Sequence, residues 1–135
     1  MNANELMIGN YVNYQGRAQK ICALNMNSVK IGELAYDDHR ETLSNDSIKP
    51  ISLTEEWLLK FGFIHNKSVN EDGELLINNY TLKIDKYSTI VIEDDFSFGI
   101  ENEIESVIFD NDVLKSVHRL QNLYFALTNK ELTIN

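Results

Sequence analysis

The sequence predicts an α+β fold: an N-terminal SH3-like small β-barrel with a short helix, then an antiparallel β-meander and one long C-terminal amphipathic helix. Three observations carry this expectation. Residues 8 to 34 hold short apolar segments of period two, broken at Gln15-Gly16 and at Asn25 to Asn27, as small bent strands with tight turns are. Residues 80 to 100 alternate apolar and polar side chains, the pattern of an antiparallel sheet with one wet face. Val113, Val117, Leu120, Tyr124 and Leu127 recur along one stripe of an α-helix.

Taken in order, Val12 and Tyr14 alternate before the Gln15-Gly16 turn, Ala18 to Leu24 is strand-like, and Val29 and Ile31 begin a third strand. A further strand is expected near Ile48, ending at Pro50, which has no N–H to donate to a ladder. The stretch "ISLTEEWLLKFGF" then spells out a short helix over 54–61. Thr54 can accept from a first-turn amide, Glu55 and Glu56 suit the positive end of the dipole, and Leu53 faces Leu58 as a hydrophobic staple. Gly62 supplies a left-handed stop. So short a helix needs tertiary support, so it is expected to plug one end of the β structure or bridge to the second half, with Trp57, Leu58 and Phe61 packed. The alternative is that Trp57 and Phe61 form an exposed docking surface.

In the meander, Asn70 to Gly73 reads as a loop, and Tyr80, Leu82 and Ile84, then Ile90 and Ile92, then Phe96, Phe98 and Ile100 mark three or four strands, with Asn78-Asn79 as a turn or an interruption. Asp110, Asn111 or Asp112 can cap the last helix, Asn129 can take its left-handed terminal position, and Leu132 can fold back on its last turn. Leu114, Leu123 and Phe125 widen its apolar surface. It either crosses a sheet or is covered on two sides, and the second arrangement suits a homodimer through this helix.

A chain of 135 residues fits one compact domain, with subdomains expected at 1–63 and 64–135. Its 43% hydrophobic and 24% charged residues place it among globular proteins rather than disordered ones. Cys22 is the only cysteine, which excludes an internal disulfide and a cysteine-rich zinc site. No apolar run reaches membrane-span length, and the opening segment lacks the basic-then-apolar pattern of a signal peptide, so no membrane partner and a cytoplasmic setting are expected. The net charge of −9 argues against generic phosphate-backbone binding.

No glycine-rich phosphate loop or nucleophile elbow is present, and His39, His65 and His118 share no ligand spacing, so neither an enzyme nor a cofactor or metal is expected. Cys22 reads as a buried inert thiol, and His118 as a hydrogen-bonded group at the rim of the core. Between Glu93 and Asp112 stand eight carboxylates and no Lys or Arg. If 100–106 is a strand, Glu101, Glu103 and Glu105 point to one side. They would then be a solvated face that discourages edge aggregation, or else a divalent-cation site, a docking face for a basic partner or a mimic of nucleic-acid phosphates. On the small barrel, Tyr14, Arg17, Lys20 and Lys30 are the alternative, a nucleic-acid surface of cations interleaved with aromatics.

Three blocks, "ELMIGNYV" (5–12), "PISLTEEWLLKFGF" (50–63) and "VHRLQNLYFALTNKEL" (117–132), resemble a family of small proteins of uncharacterised activity from Bacteroidetes-type bacteria and their phages. Met7, Ser52 and Asn129 depart from the family pattern of a basic residue, a proline and a glycine. The resemblance implies a phage or mobile-element setting and transfers no catalytic residue. Together these readings give a non-enzymatic accessory module that binds another protein, through Glu101, Glu103 and Glu105 or through Trp57 and Phe61.

Overall fold

Period-two segments joined by tight turns build two antiparallel sheets, and one main helix follows them near the C-terminus. The computed structural model describes residues 1–32, 41–109 and 114–135. In chain order they form β1 (Tyr11–Tyr14), β2 (Arg17–Leu24), β3 (Ser28–Ile31), β4 (Glu41–Ser44), α1 (Glu55–Lys60), β5 (Ile64–Val69), β6 (Leu75–Lys83), β7 (Thr89–Glu93), β8 (Phe98–Glu101), β9 (Ser106–Phe109) and α2 (Val117–Thr128), with 3-10 turns at Ala3–Glu5 and Asn45–Ser47. Two compact units emerge, one of residues 1–52 and 116–131 and the other of 53–115 and 132–135. The division differs from the expected one at residue 63: α1 counts with the second unit and α2 with the first.

The first unit is a four-stranded meander of order β1-β2-β3-β4. Gln15 (φ 51) and Gly16 (φ 81) both occupy the left-handed region, as a two-residue turn matched to strand twist requires. A register shift between Ile21 and Ala23 bends β2. After the 3-10 turn at Asn45, the chain returns to β1, where Asn13 and Lys49 exchange backbone hydrogen bonds of 2.8 and 2.9 Å. The strand expected near Ile48 is thus this single bridge, while β4 went unread. Leu6, Val12, Ile21, Val29, Ile31, Leu43 and Ile48 form the core.

The second unit is a five-stranded meander of order β5-β6-β7-β8-β9. Tyr80, Ile92 and Phe98 pair in one row across it and Leu82, Ile90 and Ile100 in the next, so both rows share a face. The strand β6 runs straight through Asn78-Asn79, and β5 is an edge strand that its polar residues concealed. Phe96, expected in a strand, turns the β7–β8 connection at φ 64.

The short helix forms as its sequence predicts. Thr54 Oγ accepts from Trp57 N–H, and Gly62 N–H and Phe63 N–H donate to the carbonyls of Leu59 and Leu58 at 3.0 Å, a left-handed stop at φ 93. Leu53, Leu58, Phe61 and Phe63 are buried. Glu55 fastens the first turn within this unit, lying 3.5 Å from His65, whose ring stacks on that of Tyr80.

α2 begins at Val117 with Ser116 in the N-cap position, later than the stripe implied, so residues 110–112 do not cap it; they and Val113 lie outside the described residues. Asn129 ends it at φ 57, as expected. Leu132 is buried and counts with the second unit. The helix buries Val117, His118, Leu120 and Gln121 and leaves Phe125 and Leu127 exposed.

Leu58 is fully buried whereas its neighbour Leu59 is 46% exposed. Leu58→Ala is expected to cost about 2–5 kcal/mol and Leu59→Ala under about 0.5 kcal/mol. Urea unfolding followed by Trp57 fluorescence measures the difference.

Candidate functional site

The acidic run is not a strand face. β8 ends at Glu101, which pairs with Ser106, and residues 102–105 form the loop of a hairpin. Asn102 builds this loop: its Oδ1 accepts from Ile104 N–H at 2.8 Å and Glu105 N–H at 2.6 Å, and its N–H donates to Glu105 O at 2.9 Å. Glu103 and Glu105 therefore flank the tip, and between them Ile104 is 90% exposed. Val107, just beyond, is also exposed.

The other carboxylates gather at the preceding turn. Asp95 accepts from both N–H and Oγ–H of Ser97, which holds its carboxyl below the usual range. Partial burial, reinforced by Asp94, Asp95 and Glu101, pushes Glu93 up. Asp110 and Asp112 lie outside the described residues. Among the described residues no three His, Cys, Asp or Glu side chains converge as a metal site. Counted by unit, the first holds seven Lys and Arg against seven Asp and Glu, and the second holds five against fourteen, so the whole of the −9 belongs to the second unit.

Trp57 and Phe61 do not make an open surface. Phe61 is buried, and Trp57 is half-buried with its ring centroid 5.6 Å from that of Phe61 and Lys60 Nζ 5.3 Å above it. Lys60 is held there by Glu56 at 2.8 Å.

The four residues proposed for nucleic acid divide between two faces. Tyr14 pairs with Arg17 and Tyr11 with Lys20, and these neighbours three apart point oppositely. Tyr14 packs against the core, while Lys20 lies 6.0 Å over the Tyr11 ring and Lys30 is exposed between the buried Val29 and Ile31. Cys22 is buried, its thiol donating to Lys30 O. His39 lies outside the described residues.

Sequence reasoning missed a polar lattice in the first unit that joins α2 to residues 5–11. Gln121 Oε1 accepts from Tyr11 N–H at 2.8 Å and its Nε2 donates to Gly9 O at 3.0 Å. Asn122 accepts from Asn10 Nδ2 at 2.9 Å and donates to Glu5 O at 2.8 Å. Asn10 Oδ1 closes the irregular turn by accepting from Met7 N–H. Glu5 Oε2 stands 3.4 Å from Arg119 and 3.6 Å from His118 Nε2.

Contrary to the expected hydrogen-bonded rim position, His118 is 1% exposed and neither ring nitrogen has a hydrogen-bond partner among the described residues. Burial depresses its pKa, and Glu5 only partly offsets this. For Glu5, burial raises the pKa, but the Asn2 N–H, His118 and Arg119 together bring it below the ordinary value.

No helix among the described residues is long and apolar enough to cross a membrane. Compared with family models, curated proteins and solved structures, the chain matches none.

Gln121→Ala removes the acceptor of the Tyr11 amide and the donor to the Gly9 carbonyl and is expected to cost about 1–3 kcal/mol by chemical denaturation. His118 supplies a pH test. Its folded pKa is depressed, so the unfolded chain takes up the proton first, and stability falls as pH drops below about 6.5. Glu5, held below the ordinary carboxylate value, adds loss only below about 4.5. His118→Gln is expected to flatten the upper part of a plot of melting temperature against pH, and an unchanged slope there would refute the assignment.

Proposed function

We propose that this chain is a non-enzymatic accessory module of a phage or mobile-element setting that works in the cytoplasm by binding another protein through the β8–β9 hairpin tip. One observation carries the reading: Ile104 is 90% exposed on a loop braced by Asn102, with Glu103 and Glu105 on either side. An exposed isoleucine held by a hydrogen-bonded turn offers an anchor without a large ordering cost. The flanking carboxylates select its partner, an apolar pocket rimmed by Arg or Lys, and speed encounter. Glu101 at the base of the hairpin extends the same acidic rim.

The first unit serves this reading as an SH3-like barrel. Its four-strand order, its 3-10 turn and the return of Lys49 to Asn13 support that architecture. The neutrality of this unit favours a second reading, in which Lys20 and Lys30, on its outward side, contact nucleic acid while Tyr14 and Arg17 do not share their face.

The deciding experiment is capture from host extract by tagged wild type, Ile104→Asp and the triple reversal Glu101→Lys, Glu103→Lys, Glu105→Lys, with and without nuclease. A nuclease-resistant protein that both variants bind at least about thirtyfold more weakly, with unchanged circular dichroism and melting, is the expected result. Equal capture by all three would remove the tip. Nuclease-sensitive capture, lost instead in Lys20→Glu with Lys30→Glu, would move the function to the first unit.

A further inference from the structure

We infer that one end of the first unit carries a binding cleft for a neutral saccharide, in which Asn27, Ser44 and Asp46 hydrogen-bond the hydroxyls of a single pyranose ring. A cavity of about 390 Å³ opens there, bounded by residues 1–3, by residues 26–27 in the β2–β3 hairpin loop and by residues 44–46 at the end of β4. Its volume lies within the range of small-ligand clefts, about 300–1,000 Å³. Every one of these residues belongs to the first unit, which therefore builds the cleft by itself.

The walls of the cleft are tied together before any ligand arrives. Asn45, the buried residue of the lining, does the tying. Its N–H donates to Asn27 O at 3.2 Å, its Nδ2 donates to Met26 O at 3.1 Å, and its O accepts from the Met1 amino group at 2.8 Å. Walls held in this way lower the ordering cost of binding. Asn45 Oδ1 is buried and has no partner among the described residues, so a donor brought to it makes a hydrogen bond without giving one up to water.

The rest of the lining selects the ligand. Ser44 Oγ accepts from Asp46 N–H at 3.3 Å, which leaves its O–H to donate. The Asn27 amide offers both a donor and an acceptor, and the exposed Asp46 carboxylate offers acceptors alone. Hydroxyls that each donate and accept match such a mixed set. Among the described residues no Lys, Arg or His lines the cleft, and Asp46 offsets the Met1 amino group, so a phosphate finds no fork of donors there. No aromatic ring lines it either, so a nucleobase finds no stacking platform. The apolar surface comes from Met1 and Met26, flexible side chains that can lie along the C–H face of a sugar.

The test is a titration of the nitrogen-15-labelled full chain, followed by amide chemical shifts, with D-glucose, D-galactose, D-mannose and N-acetyl-D-glucosamine, with their 6-phosphates, and with glycerol. At least one free sugar is expected to give saturable shifts at the amides of Asn27, Ser44 and Asp46, with a Kd below ~10 mM, as a small polar cleft open to water allows. Its 6-phosphate should bind at least about tenfold more weakly, because the cleft has an acid and no cationic side chain. Asn27→Ala and Asp46→Ala should each weaken the sugar at least about threefold while leaving distant amides where they were. Four results would each overturn the assignment: no saturation by any sugar up to ~100 mM, glycerol shifts as large as those of the sugars, a phosphate that binds as well, or variants that bind like wild type. The cleft lies in the first unit and the Ile104 tip in the second, so failure of either proposal leaves the other standing.

Discussion

The first unit depends on one constraint: the backbone of residues 5–11 is irregular, and a buried amide or carbonyl without a partner costs about as much as a whole hydrogen bond contributes. A strand would satisfy such groups with another strand. Here α2 does it with side chains, Gln121 bridging Gly9 and Tyr11 and Asn122 bridging Glu5 and Asn10. Because Gln121 is buried beside Leu120 and Val117, the helix cannot slide by a turn without losing both its apolar seat and these bonds together. The register of the helix is thereby set by amides rather than by apolar volume alone. Two of the three sequence blocks singled out above, 5–12 and 117–132, turn out to be the two halves of this contact.

That contact explains the limits of the sequence reading. Periodicity found α2, the turn at Gln15-Gly16 and the α1 capping, because each is a local signal. It placed the start of α2 too early, since Val113 extends the stripe but the hydrogen-bonded helix begins only after Ser116. β5 escaped because its half-buried positions are the polar Asn66 and Ser68 while its apolar Ile64 and Val69 are exposed, so hydrophobicity does not follow burial along it. Gln121 and Asn122 read as the polar side of an amphipathic helix. Only the residues facing them across more than a hundred positions of sequence make them structural, and nothing in a period of 3.6 reveals that.

The acidic run went wrong in a more instructive way. Alternating glutamates are equally compatible with a strand face and with a hairpin that carries one at its base and two in its loop. Asn102 decides between them, since its carbonyl oxygen collects two consecutive loop amides and an Asx turn cannot sit in a continuous ladder. A local rule about asparagine thus outranks the periodicity around it, and the signal was present at a single position.

Placing the carboxylates at turns changes what they can do. On a sheet face, three charges spaced along a strand would present a broad plane to a flat basic surface. At the ends of hairpins, Glu71 and Asp72 in one loop, Asp94 and Asp95 in another, and Glu103 and Glu105 in a third, they are separated points, each beside apolar residues that the strands need for packing or leave exposed. Like charges at turns oppose end-to-end stacking of sheets while leaving strand edges uncharged except where Lys67 stands. The proposed recognition through Ile104 accordingly relies on a single anchor within a small charged collar. The neutral first unit, whose Asn10, Gln121 and Asn122 side chains are turned onto its own backbone, shows the opposite use of polar side chains.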